Sequence, residues 1–515
     1  MLTLVVATGV VPAASLVSCS SDAPSVAVER ADDVGSTTTI PTTTTIPTTT
    51  VATPVPTTVP ASVPATTAQQ GDDTGDGIGD VLYAPLGNPG IDVEHYDVAV
   101  DIDPGGGSIS GRVEVQVRLT EQRNEITLDA VGLDVTSVTV DGTVVEHRVD
   151  PEELRIPLDA GALAGDVLEV VVSYSARPGT NPSAAGPPGG WFTDGSGTYM
   201  LNEPDRLRTW MPANDHPTDK ATWEFSLTAP EGTIAVANGR LLARGGDGRP
   251  WVWRQDDPMA TYLVLLATGE YEVVETASVE GGPDGSIEMS HVVPEGEAER
   301  MAEYVTVTER QLEFFADIFG PYPLEGYGLA IIDSQPGLAM ETMGRSLFSR
   351  IDLTGDTVDR LDHLLLAHEL AHQWFGNTVT PAQWQDIWLN EGFATYAQWM
   401  WLDEVQLAEL ESEADRALSF VRNVAVVPIA SPEIPQLFGI EVYDGGAVAL
   451  HALRATIGDD AFFEVLRSWV QENRGASLVT DDFIAHAERV SGEDLDGWAA
   501  DWLYTVELPA AFPGG

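Results

Sequence analysis

Near residue 275 the spacing of apolar residues changes from every second position to every third or fourth, which divides the folded part of the chain into two kinds of structure. Upstream, residues 112–119 set Val113, Val115, Val117 and Leu119 on one side of an extended chain and charged or polar groups on the other, as a half-buried strand requires. Val138-Thr139-Val140, Asp141-Gly142 and Thr143-Val144-Val145 read as a hairpin closed by a tight turn. Segments 168–174 and 262–267 read as further strands. Many short strands with Gly-rich connections predict an antiparallel β domain over 83–274. Downstream, 301–319, 359–375, 390–404, 407–424, 445–457, 459–473 and 480–490 carry the helical period, several opening on Asp, Asn or Thr in the capping position. With strand-like 327–332, a mainly α domain with a small sheet is expected over 275–512. The expected fold is multidomain, α and β.

The first 82 residues have neither pattern. Residues 1–17 are nearly all apolar or small, interrupted by Pro12 and too short to cross a bilayer as a helix, so 1–18 reads as a signal peptide. Leu16-Val17-Ser18-Cys19 resembles the lipobox of bacterial lipoproteins, in which the Cys becomes the lipidated first residue. No Lys or Arg precedes Arg30. From Ser36 to Thr67 the composition collapses to Thr, Pro, Val and Ala, which cannot bury enough surface to offset its ordering entropy. Residues 19–82 are therefore expected to form a disordered tether, whose Thr/Pro stretch reaches up to about 90 Å if polyproline-like. The expected location is the cell surface, anchored at Cys19, or otherwise the medium.

Acidic residues outnumber basic ones 80 to 25, for a formal charge of −55. That excludes a nucleic-acid binder, which needs a basic footprint, and adhesion to anionic lipid through a polybasic patch. A lipid on Cys19 is the one membrane attachment expected. Cys19 is also the only cysteine, so neither an intrachain disulfide nor a Cys-based zinc cluster can form.

The helix expected over 359–375 carries His368-Glu369-Leu370-Ala371-His372. Four residues make just over one turn, so both imidazoles leave the same face and can reach one Zn²⁺ at about 2.0–2.1 Å. Glu369 can lie beside the metal rather than on it, where a base for the attacking water belongs. Glu391 follows within Trp388-Leu389-Asn390-Glu391-Gly392-Phe393-Ala394, near the start of the next helix. If the two helices pack together, two His and one carboxylate leave a fourth position open, as a catalytic zinc needs.

These two segments, with Gln373-Trp374-Phe375-Gly376-Asn377 completing the first, resemble the gluzincin aminopeptidases of the aminopeptidase N family, and the resemblance runs from near Tyr83 to near Phe512. It implies a saddle-like β domain followed by a thermolysin-like catalytic domain. Larger members add a small β domain and a helical C-terminal domain, so a short exported form lacking these, with a more open cleft, is expected. An aminopeptidase must recognise a free α-ammonium, and buried carboxylates are the direct means. The family does so with a Gly-Ala-Met-Glu-Asn loop; Leu338-Ala339-Met340-Glu341-Thr342 matches it, with Glu341 on the amine-binding Glu and Leu338 and Thr342 in place of the Gly and Asn. A second amine-binding group precedes an Arg in the β domain, which implies Glu203 in Glu203-Pro204-Asp205-Arg206-Leu207-Arg208. In the following Asn214-Asp215-His216-Pro217-Thr218-Asp219-Lys220-Ala221, His216 replaces the usual Glu, and Lys220, the only lysine, takes a structural role. Tyr443-Asp444-Gly445-Gly446-Ala447 matches the family's Tyr-x-Lys-Gly-Ala segment, with Gly445 for the Lys, and implies Tyr443 as the oxyanion donor.

The expected activity is a zinc-dependent aminopeptidase with one Zn²⁺ per chain, acting on peptides with a free N-terminus. Zinc is bound by His368, His372 and Glu391, Glu369 and Tyr443 are catalytic, and Glu341 and Glu203 bind the amine. Two rivals stay open: a zinc endopeptidase of the thermolysin type, and a zinc-containing surface lipoprotein whose activity has decayed. Side-chain preference and oligomeric state are not legible.

Overall fold

The period-two residues fold as their spacing requires: Val113, Val115 and Val117 of strand Ile109–Leu119 are fully buried, while their neighbours face outward or lie half-buried. This computed structural model describes residues 77–514 apart from 104, 159–160, 182–188, 194–196, 283–284, 335–338, 354 and 356. The signal peptide, Cys19, the Thr/Pro segment and Leu338 lie outside the described residues.

Strand Ile109–Leu119 is central in an eight-stranded sheet ordered Arg240–Ala243, Trp251–Ala260, Lys220–Thr228, Ile91–Ile102, Ile109–Leu119, Val167–Ala176, Asp134–Val140 and Thr143–Val145. The expected hairpin is present, with Val138 opposite Val145 and Val140 opposite Thr143 across Asp141-Gly142. One pairing departs from the antiparallel expectation. Ile91–Ile102 runs parallel to Lys220–Thr228, a register that only the long intervening chain allows. A five-stranded sheet (Ile234–Ala237, Leu266–Gly269, Gly197–Leu201, Gly189–Thr193, Thr180–Asn181) and a three-stranded one complete this β-rich half.

The strand expected over 262–267 is only partly one. Thr261–Leu263 form a 3₁₀ turn and the strand begins at Leu266. Its continuous apolar run misled because Tyr262, Leu263, Val264 and Leu265 are all fully or almost fully buried, which a turn in the core requires as much as a strand does. The tether boundary also moves. Residues 77–82 belong to the fold: Asp80 is buried and accepts from the backbone N–H of Leu82, Tyr83 and Trp384.

The second half has helices α1 (Ala298–Phe319), α2 (Arg360–Ala371), α3 (Trp388–Glu404), α4 (Leu410–Val424), α5 (Tyr443–Ile457), α6 (Asp459–Glu472), α7 (Thr480–Ser491) and α8 (Asp496–Trp502). They accompany a sheet in which Ser286–Pro294, Leu329–Ile332 and Ser346–Ser349 run parallel. Helix α8 was not legible, being only seven residues long. Helix α2 begins where expected, because Asp359 accepts from Leu361 and Asp362 N–H while Asp362 accepts from Asp359 N–H. It ends four residues short of Phe375. Gln373 and Trp374 turn back to carbonyls three residues earlier, and Gly376 takes a φ of 125° that a side chain would resist.

Candidate active site

Helix α2 and its C-cap residue present His368 and His372 one turn apart, their rings 4.7 Å between centroids and nearly perpendicular. Helix α3 supplies Glu391 from its first turn. Its Oε2 lies 3.1 Å from His368 Nε2 and 3.4 Å from His372 Nε2, and all three side chains are fully buried. Ligands of a tetrahedral zinc at about 2.0–2.1 Å stand about 3.3 Å apart, so these spacings fit one ion. His372 Nδ1 lies 3.1 Å from the Phe375 carbonyl, which fixes the proton there and leaves Nε2 facing the cluster. Glu391 Oε1 has no hydrogen-bond partner among the described residues, an orphaned oxygen that a cation would satisfy.

The other expected residues converge on the same place. Ligand atoms of Glu341, Glu369 and His372 lie within 4.8 Å of one another, as do those of Glu203, Glu341 and Glu391. Tyr443, at the start of α5, stacks on His368 with centroids 5.9 Å apart and the rings inclined by 15°. Its hydroxyl is buried and has no partner among the described residues.

Burial and mutual repulsion set the electrostatics. Burial drives Glu369 well above the ordinary carboxylate range, with the Glu341 and Glu391 charges adding to it and His372 opposing. Glu203 is pushed up to about 8 by burial and then by the Glu341 charge. Burial likewise raises Glu341 and holds the Tyr443 phenol protonated. Glu391 goes the other way. Burial raises it, but His372 and His368 bring it down to about 2, so it stays ionised. Four carboxylates in one buried site carry more negative charge than two imidazoles can offset, an imbalance that a bound divalent cation would reduce.

Apart from Lys220, to which the resemblance gave a structural role, sequence reasoning missed the supports. Asn377 Nδ2 and Gln373 Nε2 donate to the Glu341 carbonyl at 2.6 and 3.2 Å. Tyr262 donates its hydroxyl to the Gly376 carbonyl at 3.0 Å and accepts from Asn390 Nδ2 at 3.3 Å. Lys220 Nζ donates to the carbonyls of Thr378, Ala476 and Asn377 at 3.0, 3.2 and 3.4 Å. Asn238 Nδ2 ties Leu263 to Met343, each at 3.0 Å, and the buried Arg345 guanidinium lies 4.8 Å over the Trp253 ring. The β-rich half thus grips both the turn after the second histidine and the loop bearing Glu341. Gly376-Asn377 directly after the helix was the one visible signal.

Known proteins share this plan. The Peptidase M1 N-terminal domain matches residues 92–263 and the Peptidase family M1 domain matches 304–502. An M1 zinc metallopeptidase from Deinococcus radiodurans superimposes with a TM-score of 0.76 at 30% identity, covering 85% of this chain and 99% of that one. A variant of it bound to a Tyr-Ser-Ala substrate gives 0.76 at 29%. Aminopeptidase N of Lactococcus lactis is 27% identical over 450 residues, covering 81% of this chain and 51% of the relative. Leucyl aminopeptidase of Saccharolobus solfataricus is 25% identical over 440 residues, covering 81% and 54%. The chain spans about half the length of these two aminopeptidases and nearly all of the Deinococcus enzyme. With both halves matched in order along the sequence, and with the two histidines and Glu391 gathered at one point, the chain belongs to peptidase family M1.

Proposed function

We propose that this chain is a zinc-dependent aminopeptidase that removes single residues from the free N-terminus of peptides, with one ion per chain. The observation that carries the proposal is the convergence of Glu203 and Glu341 on the carboxylate of Glu391. A zinc endopeptidase needs one general base beside the metal. It has no use for two further buried acids within reach of a metal ligand.

His368, His372 and Glu391 would hold the ion. Zinc held there would supply Lewis acidity towards the scissile carbonyl and the attacking water. Glu369 takes the proton of the attacking water and delivers it to the leaving amine, a task suited to a carboxylate whose burial raises its basicity. Tyr443 donates its hydroxyl to the developing oxyanion, and burial keeps that proton on the phenol. Glu341 and Glu203 receive the α-ammonium, which restricts cleavage to the first peptide bond.

Free and N-acetylated aminoacyl amides, assayed with wild type, Glu369→Gln and Glu341→Ala, test this reading. Turnover of free-amine substrates alone, its loss in Glu369→Gln and a selective rise in KM in Glu341→Ala are expected. Equal cleavage of acetylated peptides makes the protein an endopeptidase, and bound zinc without turnover makes it a decayed one.

Export and lipid attachment at Cys19 complete the proposal, supported by the apolar segment ahead of Cys19 and the Thr/Pro segment behind it. No helix among the described residues is long and apolar enough to cross a membrane. Incorporation of an alkyne fatty acid by wild type, lost in Cys19→Ala, is the outcome expected.

A further inference from the structure

The segment 77–88 lies across the junction of the two halves and is fastened at several points. Asp80 accepts from Trp384 N–H at 2.8 Å and lies 3.3 Å from His216 Nε2, and Val81 N–H donates to Gln383 Oε1 at 3.1 Å. At its far end Asn88 donates to Asp129 Oδ2 at 2.9 Å and its backbone N–H donates to Asn214 Oδ1 at 2.6 Å. Between these anchors Asp80 also closes a turn on Tyr83 N–H at 2.7 Å, which sets the direction of the Tyr83 side chain.

That side chain points inward. Its ring meets Trp384 edge to face at 6.2 Å, and Trp384 meets Tyr262 the same way at 5.3 Å, so three rings lead from the strap to the residue that bonds Gly376 and Asn390. The Tyr83 hydroxyl is buried and has no hydrogen-bond partner among the described residues, and the same holds for Trp384 Nε1. Leaving two such groups unpaired is costly, and a chain tolerates it where a ligand supplies the partner. Burial raises the pKa of this phenol, and the Asp205, Arg206 and Glu203 charges all act on it, so the hydroxyl lies within electrostatic reach of the acid assigned to the substrate amine.

We propose that the strap forms one wall of the pocket for the substrate's first side chain, and that Tyr83 is a specificity-determining residue whose hydroxyl hydrogen-bonds a polar, uncharged side chain there. The proposal rests on the aminopeptidase reading, because the pocket is defined by an ammonium held at Glu203. It gives the residues that follow the Thr/Pro segment a part in substrate choice. A pocket with buried hydrogen-bonding groups discriminates against the apolar isostere, which leaves them unpaired.

The test uses the full chain and two isosteric pairs of free-amine substrates, the glutaminyl and methionyl amides and the threonyl and valyl amides. Wild type is expected to favour the polar member of each pair in kcat/KM. Tyr83→Phe, which keeps the ring and its contact with Trp384, is expected to lower both ratios about tenfold. A purely structural Tyr83 would shift thermal stability and leave the ratios alone, so ratios within twofold of wild type overturn the proposal. Should wild type turn over none of the four substrates, the aminopeptidase reading falls and takes this inference with it. Turnover with unchanged ratios removes Tyr83 alone.

Discussion

Gly392 and Gly446 touch backbone to backbone: a Cβ on either would lie 2.7 Å from the Cα of the other. Gly392 follows Glu391 in α3, and Gly446 lies three residues after Tyr443 in α5, so this contact sets the separation of a metal-facing carboxylate from the phenol opposite it. Gly446→Ala should push the helices apart, cost about 1–3 kcal/mol and weaken zinc binding at least tenfold. Thermal unfolding and competition with a chelator measure the two effects. Gly497→Ala in α8, where a Cβ would meet nothing within 4 Å, is the control and should be neutral or slightly stabilising.

Tyr443 stacks on His368 without a hydrogen bond for its hydroxyl among the described residues, so removing that oxygen leaves the ring packing intact. Tyr443→Phe should lower kcat by about 10²–10³-fold while KM changes little, since the bond is made only as the oxyanion develops. A KM effect larger than the kcat effect would mean that the phenol binds the ground state.

Lys220 reaches from the β-rich half to three carbonyls of the other half. Lys220→Met fills the same space but takes one donor from each of those oxygens, while the Thr378 and Ala476 carbonyls keep the backbone N–H of Gly475 and Thr380. A loss of about 1–3 kcal/mol in urea unfolding is expected. KM for free-amine substrates should rise several-fold, because the turn that carries Asn377 steadies Glu341.

His291 gives a pH dependence away from the catalytic cluster. Burial and the nearby Arg345 charge push it down to about 4, against about 6.5 when unfolded, and its Nδ1 accepts from Leu329 N–H at 3.2 Å. The unfolded chain therefore takes up the proton first. The stability due to neutral His291 is full above pH 6.5 and is lost as the pH falls towards 4. Between pH 7.5 and 5 wild type should lose about 2 kcal/mol more than His291→Asn, whose Oδ1 can accept the same bond without titrating. Parallel unfolding curves at the two pH values would show that His291 is charged in the fold.

The strands and helices were legible where one face alone had to be buried, as in 109–119 and in α2 with its Asp359 cap. Legibility failed at 262–267, where burial on all sides erased the alternation, and at 77–82, where a Gly- and Asp-rich composition resembling a linker hides the anchoring role of Asp80. At the site, His368, Glu369 and His372 needed only the helical repeat. Glu391 followed from its place at the start of the next helix, given that the two helices pack together, whereas Glu341, Glu203 and Tyr443 were found through resemblance, because nothing in their local sequence says that they meet. Lys220 drew notice as the sole lysine, with a structural role implied by the resemblance, but its three acceptors come from two distant segments and were not legible.

The sequence by itself determined the period of each element, the cap of α2 and the shared face of the two histidines, since these depend on residues within a few positions of one another. Tertiary structure alone decided that acids from 203, 341, 369 and 391 converge on one buried site, that Gly392 meets Gly446, and that the rings of Tyr83, Trp384 and Tyr262 meet in sequence. Those relations depend on how sheets and helices pack across long stretches of chain, where side-chain volume and the requirement that buried polar groups find partners select the arrangement.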